Sequence, residues 1–144
     1  MRKFAFRFET VLKHRTIIEE MKTLAFGRVE LELSQCDERI ALLQAKVKET
    51  YSLPPMSVEG DPLIRERYLE ALREKIRHEN IIRNEIMTRL NQTRTELIKA
   101  RQDRESIDRI KQNDLLTYKH EALQSEQDAL DDIASIHARR RDME

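Results

Sequence analysis

An all-α fold, two long helices folded back on each other as an antiparallel coiled-coil hairpin with a longer second helix, is what this sequence of 144 residues predicts. Three observations predict it. Ala, Glu, Leu, Lys and Arg fill 71 of the 144 positions, close to the half that marks coiled coils and long helices. Glycine and proline together number only five, and four of them (Pro54, Pro55, Gly60 and Pro62) fall within nine positions. Apolar residues recur at alternating steps of four and three on both sides of that break, the seam pattern of a coiled coil. Sheet folds need turn residues at regular intervals, so sandwiches, barrels and doubly wound sheets are excluded. The chain reads as a single coiled-coil domain over 1–144.

The first helix is expected over about 9–51. Lys22, Phe26, Val29, Leu33, Cys36, Ile40, Leu43 and Val47 form its stripe, continued upstream on a slightly shifted line by Phe8, Val11, Ile18 and Ala25, with Arg15 and Lys22 at seam positions. Gly27 inside it costs about 1 kcal/mol relative to Ala and reads as a tolerated glycine, a close helix approach or a hinge. The turn is expected over 52–61: Pro54 and Pro55 cannot continue a helix, Asp61 is a good N-cap, and Pro62 suits the first helical position. The second helix is expected over about 62–140. Its stripe is Ile86, Leu90, Thr93, Leu97, Ala100, Arg104, Ile107, Lys111, Asp114 and Tyr118, extended back by Tyr68, Leu72, Ile76 and Ile82.

A short turn makes the helices antiparallel neighbours. With the bend near residue 57, position i should face about position 114 − i. The segment 107–140 then lacks an intrachain partner, although Ile107, Ile110, Leu115, Tyr118, Ala122, Ala129, Ile133 and Ile136 still recur at helical spacing. An amphipathic helix with no internal partner implies an external one, a second copy or a fold-back.

Composition also limits function. The 27 basic and 27 acidic residues cancel, so no global charge favours nucleic acid or an anionic membrane. Arg139, Arg140 and Arg141 are preceded by Glu121, Glu126, Asp128, Asp131 and Asp132, which repel phosphates. No apolar run approaches the ~18 residues of a membrane span, and Arg7 and Glu9 interrupt any signal-peptide core; a cytoplasmic protein is expected. Two glycines 33 residues apart form no phosphate loop. His14, His78, His120 and His137 are dispersed, with no metal-ligand spacing. Cys36 lies on the seam, where an inert buried thiol is the ordinary reading. Neither an enzyme nor a cofactor is expected.

The opening Phe4-Ala5-Phe6-Arg7-Phe8-Glu9-Thr10-Val11-Leu12-Lys13-His14-Arg15 resembles the start of the FliJ proteins of bacterial flagellar export. Glu126-Gln127-Asp128-Ala129-Leu130-Asp131-Asp132-Ile133-Ala134, followed by basic residues, is similar to that family's C-terminal segment. The resemblance implies a hairpin like the central-stalk (gamma) coiled coil of rotary ATP synthases, acting in type III protein export. It implies binding to the hexameric flagellar export ATPase, to the cytoplasmic domain of the export gate and to export chaperones. Localisation would be the inner face of the membrane at the flagellar base, reached only through partners. The equivalent stalk of a virulence secretion system, a prefoldin-like holdase chaperone and a plain structural spacer are the alternatives.

Residue by residue, Val11, Ile18, Ile133, Ile136, Arg139, Arg140 and Arg141 are the candidates facing the ATPase ring; seam and solvated tail are their ordinary readings. Tyr51, Tyr68 and Leu72 match the family's gate contacts near the turn, while Tyr68 and Leu72 also fit the seam. The family's polar partner one turn further on corresponds to His78 or Glu79.

Overall fold

The computed structural model describes residues 3–54 and 61–141, with side chains as far as residue 139. Pro55 and Gly60 of the expected turn lie outside the described residues. Two helices, α1 (Glu9–Tyr51) and α2 (Pro62–Arg141), make up the fold, and they pack against each other as an all-α helical hairpin. The residues cluster into two compact units, one of Glu19–Ala100 and the other of Met1–Ile18 with Arg101–Glu144. We call them the hairpin unit and the terminal unit.

The helix ends have local causes. Asp61 accepts from the Leu63 N–H at 2.9 Å through its side chain and from the Arg65 N–H at 2.9 Å through its carbonyl, so it caps α2 directly before Pro62. At the end of α1, the Ser52 and Leu53 N–H groups turn back to the Glu49 and Thr50 carbonyls, and Arg65 donates to the Leu53 carbonyl at 2.8 Å. Carbonyls at a helix C-terminus lack intrahelical donors, and this guanidinium supplies one just past it.

In the hairpin unit Val29, Cys36, Ile40, Ile86 and Leu90 are buried together, flanked by Phe26, Leu33, Ile82 and Met87. Every residue of the expected α1 stripe from Lys22 to Val47 is buried or half-buried. Near the turn the α2 stripe differs from expectation: Leu69 and Leu72 are 1% and 3% exposed, whereas Tyr68 is 48% exposed. Stepping by threes and fours back from Ile86 leads through Arg83, Glu79, Ile76, Leu72 and Leu69. The sequence stripe placed Ile82 on this line and so passed over Glu79, a charged residue that sits on the seam because it is paired there.

The pairing is antiparallel but displaced from the 114 − i rule. Lys22 meets Glu96 at 2.7 Å and Arg39 meets Glu79 at 3.1 Å, where residues 92 and 75 were expected. In the terminal unit Arg15 meets Asp103 at 3.3 Å, not residue 99. These three shifts are four residues, one helical turn, while the pairs Asp37–Arg83, Glu32–Arg89 and Glu9–Lys111 are displaced by six, seven and six residues in the same direction. The start of α2 lies opposite Leu53, beyond the end of α1, which moves α1's partners along α2.

The segment expected to lack a partner from 107 onward also starts later. Glu9 accepts from Lys111 at 2.8 Å, and Phe4 packs on Tyr118 with ring centroids 5.5 Å apart. Residues 3–8 precede α1 without being helical. From Leu123 to Arg139 every side chain is exposed.

Candidate functional site

Exposed apolar side chains occur both on the later part of α2 and near the turn. In the terminal unit the half-buried face of α2 runs Ile107, Lys111, Leu115, Tyr118 and Ala122, while Asp114, expected on the stripe, is exposed. A straight α-helix drifts about 20° per heptad against a strict 3.5 repeat, and Leu115 takes the place that Asp114 would have filled. Further on, Leu116, Leu123 and Leu130 recur every seven residues at 64%, 65% and 66% exposure, and Ile133 and Ile136 are each 53% exposed. At 100° per residue these side chains and Ala129 share one half of the helix, with Glu126 among them; Glu121, Asp128, Asp131 and Asp132 share the other. No Lys or Arg occurs from His120 to Ala138. The result is an exposed amphipathic helix whose polar half is acidic.

Beside it lies the N-terminal segment. Phe6 is 8% exposed, the one buried side chain among the described residues of this unit. The Phe8 ring meets it edge-on at 5.9 Å, and the Lys111 ammonium lies 5.9 Å from its centroid.

In the hairpin unit two open grooves flank the end nearest the turn. One, of about 400 Å³, is lined by Lys46, Glu49, Thr50, Leu53, Ile64, Arg65 and Tyr68. The other, of about 680 Å³, runs past Leu42, Leu43, Lys46, Lys75 and His78. Lys46 belongs to both. Within the second, Arg39 is bonded to Glu79 at 3.1 Å, and Glu74 pairs with Arg77. Glu79 also lies under Cys36, whose thiol is 3.5 Å from its carbonyl and 3.6 Å from its carboxylate. Burial, then the hydrogen bond to Glu79 and that residue's charge, push the Cys36 thiol above its ordinary value, which keeps it protonated and unreactive. Among the described residues no group of three or more His, Cys, Asp or Glu side chains is placed to hold a metal ion.

Residues 4–142 match the family model described as flagellar FliJ protein. The chain belongs to the FliJ family. No curated protein and no solved structure matches it. A FliJ-family chain is a component of flagellar export, and in the described residues no helix is long and apolar enough to cross a membrane.

On this FliJ-family chain the candidate residues fall in distinct places. Ile133, Ile136 and Arg139 are exposed on the end of α2; Val11 is 39% exposed and Ile18 half-buried on α1. The side chains of Arg140 and Arg141 lie outside the described residues. Tyr51 is 58% exposed and its hydroxyl accepts from Arg73 at 2.7 Å. Tyr68 walls the smaller groove, on a line about 140° around α2 from Arg73, so the two tyrosines do not form one patch. Leu72 is interior. Of His78 and Glu79, the histidine is exposed and lines the larger groove. Sequence reasoning missed the grooves around Lys46 and the docking of Phe4 and Phe6. The clustering of three of the four phenylalanines at Phe4, Phe6 and Phe8 was the available signal for the latter.

Proposed function

We propose that this chain is the stalk of the flagellar export apparatus, with the terminal unit binding the hexameric export ATPase and the turn-proximal surface of the hairpin unit binding the cytoplasmic domain of the export gate. The observation that carries the reading is the end of α2. Five large aliphatic side chains between Leu116 and Ile136 are each more than half exposed on one side of it. Clustered apolar surface of this kind marks an interaction site. Its acidic reverse side suits a partner that encloses the helix and offers basic residues. Val11, Ile18, Ile133, Ile136 and Arg139, with Arg140 and Arg141, are the ring-facing candidates. Leu123 and Leu130 join them.

At the other surface, Tyr68 and His78 would touch the gate, with Tyr51 at its edge, while Leu72 holds α2 in place from beneath. Exposed tyrosine offers large contact area with few rotamers to freeze. Export chaperones would use the same apparatus-facing surfaces, and membrane association would come only through these partners. The chain itself would supply no catalytic group: it would act as ATPase regulator and coupler through stiff backbone hydrogen bonding along each helix.

The test is stimulation of the export ATPase by the full chain. Deleting residues 126–144 should abolish stimulation, and Leu123→Asp with Leu130→Asp should weaken binding at least tenfold while leaving helix content unchanged. Absence of binding by the intact chain would overturn the reading. For the gate, Tyr68→Ala should weaken binding to its cytoplasmic domain and leave ATPase stimulation intact.

A further inference from the structure

The N-terminal segment of the terminal unit sits on the same line of α2 that leads to the proposed ring-facing surface. Lys111, Tyr118, Ala129 and Ile136 lie within about 20° of one another around the helix at 100° per residue. Phe4 covers Tyr118 at 5.5 Å, and Phe6 and Glu9 cover Lys111. A partner that follows the apolar line from Ile136 toward the start of α2 therefore meets Phe4.

The attachment of this segment is made by side chains. Among the described residues its backbone hydrogen bonds run to its own helix, from the Glu9 N–H to the Phe6 carbonyl and from the Leu12 N–H to the Phe8 carbonyl. No strand ladder or helix ties residues 3–8 to α2. Within residues 3–8 the contacts to α2 include the Phe4 ring on Tyr118 and the Phe6 ring on the Lys111 ammonium, and these are lost together when the segment swings out, while the Glu9–Lys111 pair stays with α1. Tyr118, once uncovered, presents the kind of aromatic surface that dominates protein interfaces.

We propose that residues 3–8 form a displaceable strap, which occupies the Lys111–Tyr118 stretch of α2 in the free chain and gives it up to the partner that binds the end of α2. The strap makes the free chain less exposed and sets a threshold for binding, because its contacts must be exchanged for the partner's. This inference rests on the ring-binding reading for the identity of that partner, the export ATPase.

The test uses the full chain and the variant Phe4→Ala/Phe6→Ala. In the isolated proteins, amide exchange over 107–118 should rise about tenfold in the variant, with 64–100 unchanged; equal exchange over 107–118 would overturn the strap. In titrations against the hexameric ATPase, the variant should bind several-fold more tightly, since it has no strap to displace. Equal or weaker binding by the variant refutes displacement, and weaker binding makes the phenylalanines partner contacts instead. Failure of both chains to bind refutes the ring-binding reading and displacement with it, and the exchange result then decides alone whether the strap is docked. A Phe4→Trp chain adds a direct signal, because the sequence has no other tryptophan. Its emission should shift to the red when the ATPase binds, and an unshifted or blue-shifted spectrum counts against release.

Discussion

Gly27 and Glu96 show how single residues set the behaviour of the hairpin unit. A Cβ built at Gly27 meets nothing within 4 Å, so the glycine serves no close approach of the helices. Its φ is not in the left-handed region. Gly27→Ala should therefore stabilise the protein by about 0.5–1 kcal/mol, through helix propensity and a less flexible unfolded chain. Thermal unfolding of the two proteins checks it; a lower Tm for the alanine variant would assign Gly27 a role in bending. Glu96 accepts from Lys22 at 2.7 Å, and that hydrogen bond, followed by the Lys22 charge, holds its carboxyl below the usual carboxylate range. A folded value depressed below the unfolded one, about 4.3, means that the stabilisation is present above that pH and disappears as pH falls through the folded value. The Tm difference between the native chain and Glu96→Gln should then be visible at pH 7 and shrink progressively below about pH 4. A difference that grows on acidification would be inconsistent with this sign.

Along α2 the element scale separates what the sequence makes legible from what it conceals. The α1 stripe from Lys22 to Val47 follows from its unbroken run of fours and threes, which the competing line of Ile17, Met21, Leu24 and Leu31 does not keep up toward the turn. Near the turn, α2 offers adjacent candidates, Tyr68 and Leu69, and propensity does not choose between them. Packing does: the smaller Leu69 side chain fits wholly inside at 1% exposure, whereas Tyr68 is left 48% exposed. Leu69→Ala should cost roughly 2–5 kcal/mol, the range for a fully buried leucine, and Tyr68→Ala no more than about 0.5 kcal/mol. Urea unfolding of both variants measures the contrast, and comparable losses would return Tyr68 to the seam. The shift in pairing was hidden for a related reason. Sequence gives where a helix stops, but the path of the connecting segment decides what stands opposite α1, and the Arg65–Leu53 contact sets that locally. The aliphatic residues at the end of α2 were readable from periodicity, while the grooves at Lys46 depend on packing of both helices and left no mark in either one's sequence.

Across the whole molecule, buried apolar side chains are distributed unevenly between the units. The hairpin unit holds Val29, Cys36, Ile40, Leu69, Leu72, Ile86, Leu90 and Ala100; the terminal unit, in its described residues, holds Phe6. Its remaining interhelical contacts include Arg15–Asp103 and Glu9–Lys111, pairs with side chains 33–42% exposed. Partly exposed pairs of this kind contribute about 0–1 kcal/mol and are screened by salt. Fully burying an aliphatic side chain contributes about 1.5–3 kcal/mol, and that contribution does not depend on charge. Two levels of stability are the expected consequence, as in proteins that open in contiguous cooperative units. Amide exchange should be slowest over 64–100, faster over 101–118 and fastest over 123–139. Raising the salt to 1 M, where the Debye length is about 3 Å, should accelerate exchange over 101–118 and leave 64–100 nearly unchanged. A matched response of the two stretches would mean that the charge pairs are not what closes the terminal unit. A low cost of opening there is also what the proposed binding at the terminal unit requires, because a partner would then engage that unit without unfolding the hairpin unit.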